Sequence, residues 1–305
     1  MPKDRVATNF SIWTALKEAA SDWSDDKAPR LGAALAYYTV FSLSPILVLT
    51  LSIAGAIFGA DFVQSHFGHQ LDSFLGKEGS SAVQSLIKGA QEPEARSMAT
   101  IFSVATLLIG AAGVIIQLKD ALNSIWEVEV KPGISFWRRI LNYIFSFSMV
   151  MAIAFLFLVS LLITTVLAAM TSAVKDIIPG PDVVAHIIDA IISLAMVILL
   201  FALIFKYLPD VKIAWMDVWL GASLTGLLFT LGKYLISAYL STSAVSSSYG
   251  AAGSLVVILV WCYYSSQILF FGAELTQVCA RFRGAHIVPS DNARLLKDAN
   301  DETDH

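Results

Sequence analysis

The sequence predicts an all-α polytopic membrane protein, a bundle of six transmembrane helices with an external helical hairpin. Of its 305 residues, 56% are hydrophobic and 14% are charged, whereas a soluble domain carries about 25% charged residues. Runs long enough to cross a bilayer, which takes about 20 residues, occupy 31–59, 98–118, 140–170, 183–205, 215–240 and 250–273. Hydrocarbon cannot satisfy open backbone groups, so such runs are expected to be helices.

The segments outside these runs divide the chain into three parts. Residues 1–30 form an N-terminal segment in which Phe10, Trp13, Ala20 and Trp23 suggest an interfacial helix. The membrane domain covers 31–281, and the polar tail 282–305 is expected to be disordered. Residues 60–97 form the external hairpin, which either lies on the outer leaflet or, as we favour, caps the helix ends.

Positive charge predicts the orientation of the spans. The segments 1–30, 119–139, 206–214 and 274–305 together carry 15 Lys and Arg residues, while the segments 60–97, 171–182 and 241–249 on the opposite side carry four. By the positive-inside rule, both termini are therefore expected in the cytoplasm. The formal net charge of −4 leaves no positive excess for a nucleic-acid backbone, so we predict no nucleic-acid partner.

The chain offers little for enzyme chemistry. Its two cysteines, Cys262 and Cys279, show no metal-ligand spacing, and no nucleotide-binding P-loop occurs. We therefore predict no catalytic site, no metal and no cofactor. Any transport would then be passive or driven by a gradient.

Two ionisable residues fall at membrane depth, where each costs about 2.5–3.5 kcal/mol on insertion scales. Asp189 and Lys233 lie at similar heights in the fourth and fifth runs and form a candidate intramembrane ion pair. The alternative, which we favour, is that Lys233 snorkels to the interface while Asp189 occupies a wet helix end.

A polar stripe interrupts the sixth run, and a second one interrupts the first. Tyr263, Gln267 and Glu274 share one helical face with Ser266 beside it, and the first run carries Tyr38 and Ser42 before a kink expected at Pro45. Two facing stripes would line a cavity open to the cytoplasm. Interhelical hydrogen bonding is the competing interpretation. These seven residues are the candidate cavity-lining set.

A group of polar residues ends the second run and forms a candidate cytoplasmic mouth, consisting of Gln117, Lys119, Asp120 and Asn123. Lys119 could neutralise Glu274 across this mouth. A helix end with solvated charges explains the same residues equally well.

Four motifs give the chain a family resemblance: LGAALAYYTVFSLSPILVL at 31–49, DALNSIWEV at 120–128, KYLPDVKIAWMDVWLGA at 206–222 and SSYGAAGSLVVILVWCYYSSQILFFGAEL at 247–275. In this order they resemble the YihY/virulence factor BrkB family. The resemblance implies a bacterial inner-membrane protein with six spans and both ends in the cytoplasm. No catalytic residues can be carried over from this family.

An older label for such proteins, ribonuclease BN, conflicts with the residues. A metal-dependent nuclease needs clustered carboxylates or histidines and a basic surface. None of the five histidines, His66, His69, His186, His286 and His305, has cytoplasmic partners that would complete a ligand cluster.

Three functions remain in order of preference. The first is a passive or gradient-driven transporter or lipid exporter, whose partners are the bilayer and a lipid or ion substrate. The second is a scaffolding membrane protein whose hairpin recruits an envelope partner, and the third is the ribonuclease. No oligomeric state is predicted.

Overall fold

The structure, a computed structural model, describes residues 11–42, 80–81, 83–84, 113–131, 181–242, 253–285 and 287–296. These residues are mostly helical, as predicted. The helices are α1 (Ile12–Asp25), α2 (28–42), α3 (113–125), α4 (Pro181–Tyr207), α5 (Trp215–Thr242) and α6 (Gly253–Phe282), and the strands are β1 (Val128–Val130) and β2 (Ala293–Leu295).

Three of the described helices are long and apolar enough to cross a membrane: Ala190–Tyr207, Trp215–Leu240 and Leu255–Phe282. They match the fourth, fifth and sixth predicted runs. The runs 31–59, 98–118 and 140–170 lie partly or wholly outside the described residues, so the count of six remains a prediction. Pro45, residues 1–10, the segment 297–305 and most of the hairpin 60–97 also lie outside them.

Short stop signals separate the helices. Lys27 adopts a positive φ of 56° between α1 and α2, and Pro29 then occupies the first turn of α2, where its missing N–H is not needed. At the end of α6, Gly284 has a φ of 73° and the Ala285 N–H donates to the Ala280 carbonyl at 3.0 Å. That pairing is the Schellman arrangement, which satisfies a terminal carbonyl and stops the helix.

Helices α5 and α6 approach closely because glycines face threonines across their interface. A Cβ at Gly221 would lie 1.8 Å from Thr276 Oγ1, and a Cβ at Gly272 would lie 2.0 Å from Thr225 Oγ1. Each helix thus contributes one glycine and one threonine. Both hydroxyls donate to the carbonyl of the glycine in their own helix at 2.7 Å. Small residues allow such backbone contact between membrane helices.

The largest core cluster joins α3, α4, α5 and α6 near the end of the bundle where α4 stops and α5 begins, which we call the charged end. Leu122, Ile125, Phe205, Val218 and Phe270 are all fully buried in it. Helix α1 docks at the same end through Ala15 and Ala19, which contact Leu275, Val278 and Cys279 of α6.

The docked face of α1 differs from the apolar face suggested by the sequence. The buried positions are Ala15, Ala19 and Asp22, whereas Trp13 is 75% exposed. The small alanines are buried because they let α1 lie close to α6. Trp13 is therefore left to face the surroundings, as an interfacial aromatic residue would.

At the opposite end, two described residues of the predicted hairpin, Ser80 and Val83, are buried. Val83 is 2% exposed and belongs to a cluster with Ala36 and Val40 of α2 and with Ile236 and Leu240 of α5. At this position the chain contacts protein, and capping of the helix ends by a hairpin stays a prediction, since most of 60–97 lies outside the described residues.

The C-terminal segment 287–296, here called the strap, is ordered, so the expectation of a disordered tail is wrong for these residues. Strands β1 and β2 pair antiparallel, with Glu129 opposite Arg294, and Val211 forms an isolated bridge with Pro289. Arg294 donates to Glu129 Oε1 at 2.8 Å. Composition alone suggested disorder because it does not register backbone pairing between segments distant in sequence.

We expect Gly272→Val to destabilise the protein by about 1–3 kcal/mol, because overpacking forces side chains and backbone apart. Thermal unfolding of the purified chain in detergent measures the effect. Ala238→Val, at an exposed position of α5, is the matched control and should unfold near the wild-type midpoint. Equal midpoints for Gly272→Val and the wild type would contradict the close contact.

Arg294→Ala should loosen the strap without unfolding the bundle, because a partly exposed ion pair contributes at most about 1 kcal/mol. Amide hydrogen exchange should accelerate in 128–130 and 293–295 and stay unchanged in α5.

Lys212→Ala provides the comparison, since its 2.9 Å pair with Asp291 is far more exposed. The hydrogen bond from Lys212 lowers the pKa of Asp291. The stability that this pair contributes is therefore fully present at pH values above the ordinary pKa of an Asp, and it is lost as the pH falls through the lowered pKa. Uniform acceleration across the bundle would show that the strap is not a separate unit.

Candidate functional site

The interior of the bundle contains a polar stripe on α6, defined as Ser266, Gln267, Glu274 and Gln277. Glu274 and Gln277 are both fully buried. Gln267 and Glu274 are seven residues apart and share a face, and Gln277 follows Glu274 by three residues, nearly one turn. Glu274 lies inside the apolar stretch Leu255–Phe282. A carboxyl group is thus enclosed by protein in a helix long enough to cross the membrane.

Helix α2 lies directly against the part of this stripe that is farther from the charged end. A Cβ at Gly32 would lie 2.0 Å from Gln267 Nε2 and 3.5 Å from Ser266 Cβ. Glycine at this position is what allows the amide of Gln267 to fit between the two helices. The structure therefore brings two candidate cavity-lining residues of α6 against α2.

The candidate residues of α2 itself point to two different neighbours. A Cβ at Gly113 of α3 would lie 2.8 Å from the ring of Tyr38, so this tyrosine contacts α3. Ser42 is buried, and its hydroxyl donates to the Thr39 carbonyl at 3.1 Å. Tyr263 contacts the cluster at the end opposite the charged end.

The two glutamines of the stripe have buried amide groups without hydrogen-bond partners. Both the nitrogen and the oxygen of Gln267 and of Gln277 lack one among the described residues, whereas the Ser266 hydroxyl donates to the Cys262 carbonyl at 2.7 Å. An unsatisfied buried polar group costs about 1–3 kcal/mol. Native structures rarely keep such groups, so each of these amides needs an explanation, such as a bound ligand, a water molecule or a functional role.

At the charged end, an arginine lies between the polar stripe and acidic residues that reach the surface. Arg281 follows Gln277 by four residues, and its Nη2 lies 2.5 Å from Asp22 Oδ2 and 3.3 Å from Glu18 Oε1 of α1. Asp22 is buried, and Glu18 reaches the surface. A line of polar groups thus extends from Gln267 to the acidic residues of α1.

The predicted mouth is organised around Asp210, in the loop between α4 and α5. Lys119 Nζ lies 2.9 Å from Asp210 Oδ1, the Asn123 amide donates to Asp210 Oδ2 at 3.0 Å, and the Asp210 N–H donates to Asn123 Oδ1 at 2.8 Å. Lys119 therefore forms its salt bridge with Asp210 and not with Glu274. Desolvation by the surrounding protein raises the pKa of Asp120, Lys119 opposes this, and Asp210 adds to it. Gln117 lies half-buried one turn earlier on α3.

A further ion pair closes the charged end beside α6. Arg283 Nη1 lies 3.0 Å from Asp217 Oδ1, and Asp217 is buried in the first turn of α5, where its charge also suits the helix dipole. Lys206 at the end of α4 donates to the Ile213 carbonyl and lies over the Trp215 ring. These contacts fix the order of the helices at this end.

The candidate pair of Asp189 and Lys233 remains a prediction, since the side chain of Asp189 lies outside the described residues. Lys233 Nζ lies 5.2 Å from the centroid of the Tyr234 ring. This is within the range of a cation–π contact.

Sequence reasoning missed four residues of the site. Gln277 could have been found by extending the stripe by one more turn. Asp22, Asp210 and Arg281 could not, because their partners are distant in sequence. Among the described residues, no group of three or more His, Cys, Asp or Glu is placed to hold a metal ion.

Apolar helices around a buried polar stripe, closed at one end by ion pairs, define a helical integral membrane protein. The chain belongs to the virulence factor BrkB family, whose model matches residues 19–295. This confirms the family predicted from the four motifs.

Several curated relatives are named UPF0761 membrane proteins. One from Pseudomonas paraeruginosa is 27% identical over 82% of this chain and 59% of its own length. One from Albidiferax ferrireducens is 24% identical over 88% of this chain and 62% of its own length. The chain thus spans about three fifths of the relatives it matches. No solved structure matches it significantly.

Asn123→Asp should destabilise the charged end by about 1–3 kcal/mol, because it removes the amide donor and places a second carboxylate against Asp210. Thermal unfolding in detergent measures the loss, and acidification that protonates one carboxylate should recover part of it. Gln117→Glu adds the same charge nearly two turns away on α3 and should have a smaller effect. An unaltered midpoint for Asn123→Asp would disprove the central role of Asp210.

Proposed function

We propose that this protein is a passive or gradient-driven transporter or lipid exporter of the bacterial inner membrane, with both termini in the cytoplasm. The uneven distribution of Lys and Arg supports the orientation. In this orientation the charged end, with α1 and the strap, faces the cytoplasm. The names of the relatives say membrane protein and nothing about a substrate.

The observation that carries the proposal is the buried polar stripe of α6. A purely structural helix interface would satisfy its polar groups across the interface, as membrane bundles do. Here both amides lack a protein partner among the described residues, and the fully buried Glu274 lies between them in sequence. Ionisable residues in such positions usually mark substrate or ion pathways.

The contact of α2 with α6 gives the proposed path its location. The amide of Gln267 lies directly against Gly32, and this contact would close the path at this level. Movement of α2 relative to α6 would open it, and the kink predicted at Pro45 would supply the flexibility. The ion pairs at the charged end would hold α1 and α3 while α2 moves.

Flux measurements test the proposal. The full chain is reconstituted into liposomes, and the movement of ions and of fluorescent lipids is compared for wild type, Glu274→Gln and Gln267→Leu. We expect the wild type to exceed protein-free vesicles and both variants to fall to that level, because each removes a polar group from the path.

Thr230→Val is the matched control, since its hydroxyl is satisfied by the Gly226 carbonyl within α5. It should retain wild-type flux. Wild-type flux equal to that of protein-free vesicles would refute transport and favour the scaffolding alternative, in which the hairpin 60–97 recruits an envelope partner.

A further inference from the structure

We propose that Glu274 is a proton-binding carboxyl group, flanked along α6 by the buried amides of Gln267 and Gln277, that couples transport along the α2–α6 interface to a proton gradient. The coupling rests on the proposed function. Proton binding does not, because it follows from burial and geometry alone.

Burial is the first step. The side chain of Glu274 is fully enclosed by protein, inside a stretch apolar enough to span the membrane. Taking an ionised carboxylate out of water is far more costly than taking out the neutral acid. Protonation of a carboxyl group in this position therefore changes the electrostatics of the protein interior. Protonation of a solvated surface carboxylate has no such structural consequence.

Helix geometry distinguishes a proton from a metal cation. Ca²⁺ takes six to eight oxygen ligands and Mg²⁺ an octahedral set. Along the axis of α6 the backbone position of Gln267 is about 10 Å from that of Glu274, and the backbone position of Gln277 is about 4.5 Å from it, at 1.5 Å per residue. One ion cannot contact all three side chains. A proton needs a single carboxyl oxygen.

The flanking amides are an independent observation that something polar occupies this stripe. Gln277 is fully buried, and both of its amide atoms lack a protein hydrogen-bond partner among the described residues. Amides donate and accept, so they can serve a carboxylate, a carboxylic acid or a water molecule without rearrangement. Gln267 has the same capacity on the other side of Glu274.

A route for protons to the surface follows α6 from Glu274 toward the charged end. Arg281 comes one turn after Gln277 and holds Asp22 and Glu18 of α1. The carboxylate of Glu18 is part-exposed and can exchange protons with water. The proposed proton path therefore runs from Glu18 past Arg281 and Gln277 to Glu274.

Among the described residues, the charged groups on the elements around this part of α6 are engaged in ion pairs or lie at the surface. Asp217 of α5 holds Arg283, and Lys119 of α3 holds Asp210, with Asp120 exposed beside it. On and before α2, Arg30 and Lys27 are exposed.

Infrared spectroscopy tests proton binding without a transport assay. Difference spectra are recorded between high and low pH on the full chain in phosphatidylethanolamine–phosphatidylglycerol vesicles. We expect a carbonyl band of a buried carboxylic acid that appears on acidification, is lost in Glu274→Gln and persists in the control Glu129→Gln, whose carboxylate lies in β1 and pairs with Arg294 of the strap. If Glu274→Gln does not fold, Glu274→Asp should keep the band at a shifted frequency.

Two results would overturn proton binding. One is a band that is identical in the wild type and in the Glu274 variants. The other is a titration that moves to lower pH when sodium replaces choline, because a competing metal cation would then occupy the site.

Flux under an imposed pH gradient tests the coupling separately. Wild-type flux should rise with the gradient, and Glu274→Gln should lose that dependence. Flux that keeps the same dependence in Glu274→Gln refutes the coupling while transport stands. Absence of flux in all proteins, together with a band that depends on Glu274, refutes transport while the proton site stands.

Discussion

The close contact between α5 and α6 is the constraint on which the rest of the described structure depends. Two reciprocal glycine–threonine pairs bring the helix backbones together, and each threonine satisfies its own hydroxyl within its helix. Without water or a hydrophobic driving force between helices in lipid, such packing is a main source of association. Because α5 covers one side of α6 this tightly, the polar stripe can turn inward, with Gln267 and Ser266 against Gly32 of α2.

Ion pairs hold the elements of the charged end together in addition to their packing. Arg281 binds α1 to α6, Arg283 binds α6 to α5, and Asp210 binds the α4–α5 loop to α3. Each pair links segments distant in sequence, and most of the groups are largely buried. Breaking one partner of a buried pair leaves an uncompensated charge, so these links specify which elements lie together.

The fold was predictable from the sequence to the extent that it follows from local patterns. Apolar length identified α4, α5 and α6, and helical periodicity placed Gln267 and Glu274 on one face. Tertiary partners were not predictable. Lys119 was predicted to neutralise Glu274, but it forms a salt bridge with Asp210 because the α4–α5 loop brings that carboxylate to α3. The strap was mistaken for a disordered tail for the same reason, since its order comes from pairing with β1.

The stripe of α6 is difficult to explain by stability alone. Leucine at Gln267 or Gln277 would avoid an unsatisfied buried amide, which costs about 1–3 kcal/mol. Interhelical hydrogen bonds in membrane proteins contribute only about 0.6 kcal/mol on average, and these amides make none within the described residues. Keeping two such groups beside a buried carboxyl group therefore lowers stability, and the sequence around them is otherwise strongly apolar. A function that requires a polar interior accounts for the cost, and a proton-carrying carboxyl group with amide neighbours is the simplest one that these residues fit.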